Sequence, residues 1–118
     1  MSQLLRIDVS PRGPDSHSRQ LGDRIEAGLA AAAIVRRDLS VMPVAHLDGA
    51  AITGFFSPDE ALTPDLREAT ALSDAIIAEV RAADMLLITL PMFNFGVPSV
   101  FKAWVDQLVR VNRTFSYD

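Results

Sequence analysis

A chain of 118 residues, 49% hydrophobic and 22% charged, has the length and balance of one globular domain. Its lack of cysteine excludes disulfides, a cysteine nucleophile and cysteine-ligated zinc or iron–sulfur centres, so redox chemistry would need a borrowed cofactor. A net charge of -4 with dispersed Lys and Arg argues against nucleic-acid binding, and no apolar run approaches the roughly 18 residues of a membrane span. With no basic-then-apolar leader either, a cytoplasmic protein is the expectation.

Residues 4–9 (LLRIDV) read as the first strand, and Ser10-Pro11-Arg12-Gly13-Pro14-Asp15 is too rich in turn formers to extend it. From Ser18 onward, Leu21, Ile25, Leu29 and Ala32 recur as one face of a helix requires, with Ser16 or Ser18 as N-cap. Residues 34–39 (IVRRDL) read as a second strand whose Arg36-Arg37 pair suits a solvated sheet edge. Between residues 40 and 61, Pro43, Gly49, Gly54 and Pro58 interrupt any period, which predicts a long connection with one short helix around residues 48–52.

Thr63-Pro64-Asp65 supplies an N-cap, a proline at the first helical position and an early carboxylate. The helix that follows is expected to bury Leu66, Ala69, Ser73, Ile76, Ile77 and Val80 and to end near Ala83-Asp84. Residues 85–90 (MLLITL) are an uninterrupted apolar run, as expected of a central parallel strand covered on both faces. A last helix should begin near Pro98-Ser99, with Phe101, Trp104, Val105 and Leu108 on its apolar face.

Strands alternating with helices imply an α/β, doubly wound parallel sheet. In the flavodoxin-like order 2-1-3-4-5 the third strand is central, yet no fourth strand follows it here. Strands 4 and 5 are therefore expected to be absent from the chain, and residues 1–118 to be the amino-terminal part of a single domain that ends at Asp118 without a finishing element.

Ligands of such sheets bind outside the carboxyl ends of the strands, where two loops qualify. Residues 10–18 join the first strand to a helix start, so backbone amides, the positive helix end and the hydroxyls of Ser10, Ser16 and Ser18 can hold a phosphate. The same serines also make sense as ordinary turn and cap residues. In residues 91–98, Met92, Phe93, Asn94 and Phe95 place aromatics and an amide at a strand end. They suit a planar, partly polar ring, and they equally suit a plug for the end of the sheet.

Together the two loops resemble the azoreductase branch of the flavodoxin-like NAD(P)H quinone reductases. That branch carries Ser-x5-Ser-x-Ser at the first helix entrance, matched by Ser10, Ser16 and Ser18 with His17 between the last two, and Pro-Met-Tyr-Asn-Phe after the third strand, matched by Pro91-Met92-Phe93-Asn94-Phe95. Arg37-Asp38-Leu39, Leu47-Asp48-Gly49 and Leu62-Thr63-Pro64 extend the similarity between them. Phe93 departs from the usual tyrosine by losing a hydroxyl, and the family's third flavin loop falls beyond Asp118.

The resemblance implies an FMN-dependent enzyme in which NADH or NADPH delivers hydride to the flavin and a quinone or azo compound then takes the electrons. Ser10, Ser16, His17 and Ser18 would bind the phosphate and ribityl end, and Met92, Phe93, Asn94 and Phe95 would line the ring. Neither a protein nucleophile nor a metal is expected, His17 would contact phosphate rather than transfer protons, and His46 is read as a surface or packing residue. The family also implies a homodimer with sites at its interface, where Phe55 and Phe56 would form a flap or a dimer contact.

Two other classes fit less well. A phospho-acceptor signalling domain needs an aspartate ending the third strand, where Leu90-Pro91-Met92 has none, and a hydrolase needs a Gly-x-Ser-x-Gly elbow. A third alternative is a non-catalytic fragment of the flavoenzyme that does not retain flavin.

Overall fold

The computed structural model describes residues 2–117. Asp118, beyond which the third flavin loop is expected, lies outside the described residues. Three parallel strands, β1 (Gln3–Asp8), β2 (Ala33–Asp38) and β3 (Met85–Thr89), form a sheet of order β2-β1-β3. The helices are α1 (His17–Leu29), α2 (Gly49–Phe55), α3 (Pro64–Ala82) and α4 (Ser99–Leu108), with short 3-10 turns at Gly13–Asp15 and Asp59–Ala61.

Local chemistry explains where the helices begin. Ser16, Asp48 and Thr63 each accept a hydrogen bond from the amide three residues on, at Arg19, Ala51 and Leu66, so side-chain oxygens satisfy donors the helix itself cannot. Pro64 fits the first turn of α3 because its missing N–H would have had no partner there.

Alternation along β1 sorts its side chains to two unlike faces. Leu5, Ile7 and Val9 pack with Leu39, Val44, Ile76 and Trp104 in the apolar core beneath α3 and α4. Phe101 stacks on Trp104 with ring centroids 5.7 Å apart, which closes the α4 side of that core. Leu4, Arg6 and Asp8 point the other way, under α1.

Arg6 is 2% exposed, and its guanidinium reaches Asp8 at 3.1 Å, Asp23 at 2.7 Å, Glu26 at 3.2 Å and the carbonyl of Arg19 at 3.1 Å. A buried cation with this many partners avoids the penalty of an unpaired charge. Asp8 in turn accepts a 2.5 Å hydrogen bond from Thr89 Oγ1, which ties β1 to β3. Helix α1 can approach this layer because Gly22 has no side chain: a Cβ there would lie 2.5 Å from Thr89 Cγ2 and 2.9 Å from Arg6 Nη2.

This polar layer overturns the expected burial of α1. Leu21, Ile25 and Leu29 are exposed, with Leu21 at 59%, and Ala32 lies past the helix, which ends at a left-handed Ala30. Arg6 requires carboxylates above it, so the helix turns Asp23 and Glu26 toward the guanidinium, Gly22 to the sheet, and its apolar stripe away.

The order β2-β1-β3 is the one expected of a sheet without strands 4 and 5: among the described residues β1 is central, and β3 lies at the edge with its Leu86 45% exposed. One other boundary is corrected. The short helix of the long connection runs on to Phe55, since its Asp48 cap starts a turn that Ala51, Gly54 and Phe55 then bury. The strand and helix boundaries otherwise fall within one or two residues of those read from the sequence.

Candidate functional site

Helix α1 connects β1 to β2 over one face of the sheet, and α3 connects β2 to β3 over the other. The connections thus diverge at β1 and β3, and the loops leaving these two strands flank the switch point where open α/β sheets bind ligands. Val9 N donates to Thr89 O at 3.0 Å, holding the two strand ends side by side.

The first loop is compact. Gly13 adopts φ 62, a left-handed conformation that glycine accepts without strain, and its carbonyl accepts from Ser16 N at 3.1 Å. Ser10 and Ser16 are buried, Ser18 is half-buried and His17 is exposed. The serine hydroxyls serve the loop itself: Ser10 Oγ accepts from Arg12 N at 3.3 Å, and Ser16 Oγ accepts from Arg19 N at 3.3 Å while bonding Ser18 Oγ at 3.0 Å. Among the described residues the amides of His17 and Ser18 have no acceptor, as expected of the first helical turn, and they give the positive end of α1 two donors for an anion.

The second loop is a tight reversal. Phe93 and Gly96 exchange backbone hydrogen bonds of 2.9 Å each way, with Asn94 at φ 50 and Phe95 at φ 64 between them. Positive φ at both central positions is the pattern of a type I′ turn, which ordinarily calls for Asn-Gly. A phenylalanine in the left-handed region is strained, and here it is also 97% exposed. Met92 and Phe93 are exposed beside it. A chain that holds an aromatic ring in solvent at the expense of backbone strain is not filling a gap in its core.

The two loops share a cavity of about 240 Å3, lined by Val9 and Pro11 from the first, Phe93, Pro98, Ser99 and Val100 from the second side, and Leu39, Ser40 and Pro43 after β2. Phe93 thus faces the first loop, whereas Met92, Asn94 and Phe95 stand outside this lining. Ser10, Ser16, His17 and Ser18 also stand outside it. The carboxyl end of the sheet therefore carries two separate features, unpaired amides at a helix start and an apolar, partly aromatic cavity, which suit the anionic end and the flat ring of one ligand.

A larger cavity of about 450 Å3 lies away from the strand ends, between Phe55, Phe56 and the segment from Arg110 to Tyr117. Its guanidinium groups are already committed. Arg110 pairs with Asp74 at 2.6 Å and lies 4.9 Å over the Phe55 ring, and Arg113 pairs with Asp59 at 2.6 Å. Phe55 is buried beneath Arg110, Phe56 is exposed, and so is His46.

Sequence reasoning passed over Arg19, Asp38 and Ser40. Arg19 Nη1 and Nη2 grip Asp38 at 2.8 and 2.9 Å, Nη2 and Nε reach the Ser10 carbonyl at 2.7 and 3.2 Å, and Nη2 also bonds Ser40 Oγ at 2.9 Å. The Arg19 hydrogen bonds, with help from Ser40, hold the Asp38 carboxyl at about 2, and the same pairing raises Arg19 above its ordinary value. The available signal was a cation in the first turn of a helix, where the dipole disfavours it unless a partner compensates.

Parallel sheet order, connecting helices on both faces and strand-end loops together define an α/β domain of the doubly wound kind. The family model described as flavodoxin-like fold matches residues 2–118, and the chain belongs to that family. It is 53% identical, over its whole length and 59% of the relative's, to an FMN-dependent NADH:quinone oxidoreductase of Xanthobacter autotrophicus. It is 47% identical to an FMN-dependent NADH:quinone oxidoreductase of Nostoc punctiforme, covering 60% of it. The chain therefore spans about three-fifths of the length of these curated relatives.

Among solved structures, the fold superposes on azoreductase AzrA with a TM-score of 0.87 at 22% identity, covering 99% of this chain and 60% of that one. An FMN-dependent NADH-azoreductase from Bacillus anthracis in complex with FMN gives 0.79 at 22% identity, covering 98% and 59%. The resemblance read from the two loops is matched by these relatives. Among the described residues no helix is long and apolar enough to cross a membrane.

Proposed function

We propose that this chain contributes the phosphate end and one ring wall of an FMN site in an oxidoreductase that carries electrons from NADH or NADPH to quinones or azo compounds. The observation that carries the reading is the meeting, at one switch point, of a helix start with two unpaired amides and a turn that holds Phe95 strained and exposed. The relatives' names give FMN as cofactor and NADH as donor.

In this reading the His17 and Ser18 amides bind the phosphate, while Ser10, Ser16 and Ser18 shape the loop through their internal hydrogen bonds. Met92, Phe93 and Phe95 pack on the ring and Asn94 bonds its edge. When bound, FMN would supply the hydride chemistry between NADH or NADPH and the quinone or azo compound. The protein's part is to anchor the phosphate at the positive helix end, to hold the ring against apolar surface and to limit water there. Residues 1–118 act as part of one domain, and the working protein is a cytoplasmic homodimer whose second copy meets the exposed Phe56.

A second reading, in which the 118-residue chain alone does not retain flavin, is favoured by its three-fifths coverage of the relatives and by the open edge of β3. The visible absorption spectrum after FMN addition and removal of unbound flavin decides between them. Retained flavin supports the first reading and calls for a direct assay of NADH-dependent quinone reduction. A colourless protein that also fails to bind FMN in a fluorescence titration refutes it.

A further inference from the structure

The geometry points to Arg19 as the positioning residue of the phosphate loop, acting from behind it without touching the ligand; this rests on the FMN reading above. Residues 10–16 leave β1 and return to α1 with few internal restraints: Ser16 N to Gly13 O, Arg12 N to Ser10 Oγ, and Gln20 Nε2 to Pro14 O at 3.0 Å. None of these fixes Ser10 relative to the helix start. The Arg19 side chain does, because it is rooted in the first turn of α1 and its Nη2 and Nε both donate to the Ser10 carbonyl, at 2.7 and 3.2 Å.

The clamp is itself anchored. Asp38, the last residue of β2, takes the other edge of the guanidinium in a two-oxygen pairing, and is oriented by Ser40, whose N and Oγ donate to Asp38 Oδ1 at 2.9 and 2.6 Å. Arg19 thus joins three chain segments, the end of β1, the entrance of α1 and the end of β2. Its side chain is only 14% exposed, so these bonds form in a partly dry setting where a planar fork is strong and hard to replace. Its backbone amide meanwhile donates to Ser16 Oγ, so one residue sets both ends of the loop.

Placing a cation in the first turn opposes the helix dipole, and an unpaired arginine there would weaken the helix start and order no loop. Pairing with Asp38 neutralises the charge while leaving the fork's geometry intact. The amides of His17 and Ser18 then face outward at a fixed distance from Ser10, ready for an anion before one arrives, which lowers the ordering that binding would otherwise require.

The test compares FMN with riboflavin, which lacks only the phosphate, by fluorescence titration of the full chain. For Arg19→Lys, which keeps the charge but not the fork, the preference for FMN over riboflavin is expected to fall about tenfold while riboflavin affinity stays unchanged. Asp38→Asn is expected to move the same ratio in the same direction. An unchanged ratio, or an equal loss of both flavins as from general destabilisation, overturns the positioning role. Should Arg19→Lys not fold, Ser40→Ala leaves the ion pair whole; a loss of roughly two- to threefold in the ratio supports the role and none overturns it. A wild-type chain that prefers neither flavin, or binds neither, instead removes the FMN reading on which the role depends.

Discussion

Replacing Phe95 with glycine separates what the second loop does for the fold from what it does for a ligand. Phe95 sits at φ 64 in the turn closed by Phe93 and Gly96, and a left-handed conformation disfavours an L-residue by roughly 1–2 kcal/mol. Its ring is 97% exposed, so Phe95→Gly forfeits almost no buried surface. Glycine adds chain entropy to the unfolded state, which costs about 0.5–1 kcal/mol, and leaves a net gain of roughly 0.5–1 kcal/mol. The new Asn-Gly pair is also the best match for a type I′ turn.

For a chain of this size that gain raises the melting temperature of the flavin-free protein by about 2–4 °C. Affinity for FMN should move the other way, because half-burial of a phenyl ring against the ligand is worth about 1–1.5 kcal/mol, or roughly tenfold in Kd. Thermal unfolding followed by circular dichroism and a flavin-fluorescence titration measure the two quantities on the same preparation. A lower melting temperature refutes the strain argument; an unchanged FMN affinity refutes the placement of Phe95 against the ring.

Two glycines of α1 should respond to alanine with opposite signs. Gly22→Ala drives a methyl to 2.5 Å from Thr89 Cγ2 and against the Arg6 guanidinium, and is expected to destabilise by about 1–3 kcal/mol despite better helix propensity. Gly28→Ala meets open space and should stabilise by about 0.5–1 kcal/mol, so urea midpoints that shift the same way contradict the packing described. The Asp38 carboxyl, held at about 2 chiefly by Arg19, is depressed on folding, so its contribution to stability is full above the ordinary carboxylate value and is lost as pH falls through about 2. Stability measured from pH 5 to pH 2 should therefore fall less steeply in Asp38→Asn than in the wild type, and parallel profiles would remove the ion pair from the account.

Features that depend on neighbours along the chain are legible in the amino-acid sequence by itself. The caps at Ser16 and Thr63, the proline opening α3 and the apolar run of β3 each express a local preference, since a side-chain oxygen three residues before an amide or a missing N–H acts within one turn. Alternating strands and helices then leave few topologies, and the order β2-β1-β3 is among them. The two strand-end loops can be found for the same reason, because their serines and aromatics are contiguous.

What tertiary structure decided lies wherever partners are distant in the chain. An apolar stripe along α1 carries no record that Arg6, eleven residues before the helix begins, would claim its inner face through Asp23 and Glu26 and leave Leu21 exposed. Nor does Phe95 reveal its positive φ, which follows from closing a two-residue turn between Phe93 and Gly96. The Arg19 clamp needs Ser10, Asp38 and Ser40, from the ends of two strands, to converge on one guanidinium. Hydrogen bonds and ion pairs act over about 3 Å whatever the separation along the chain, so only the folded chain brings such partners together.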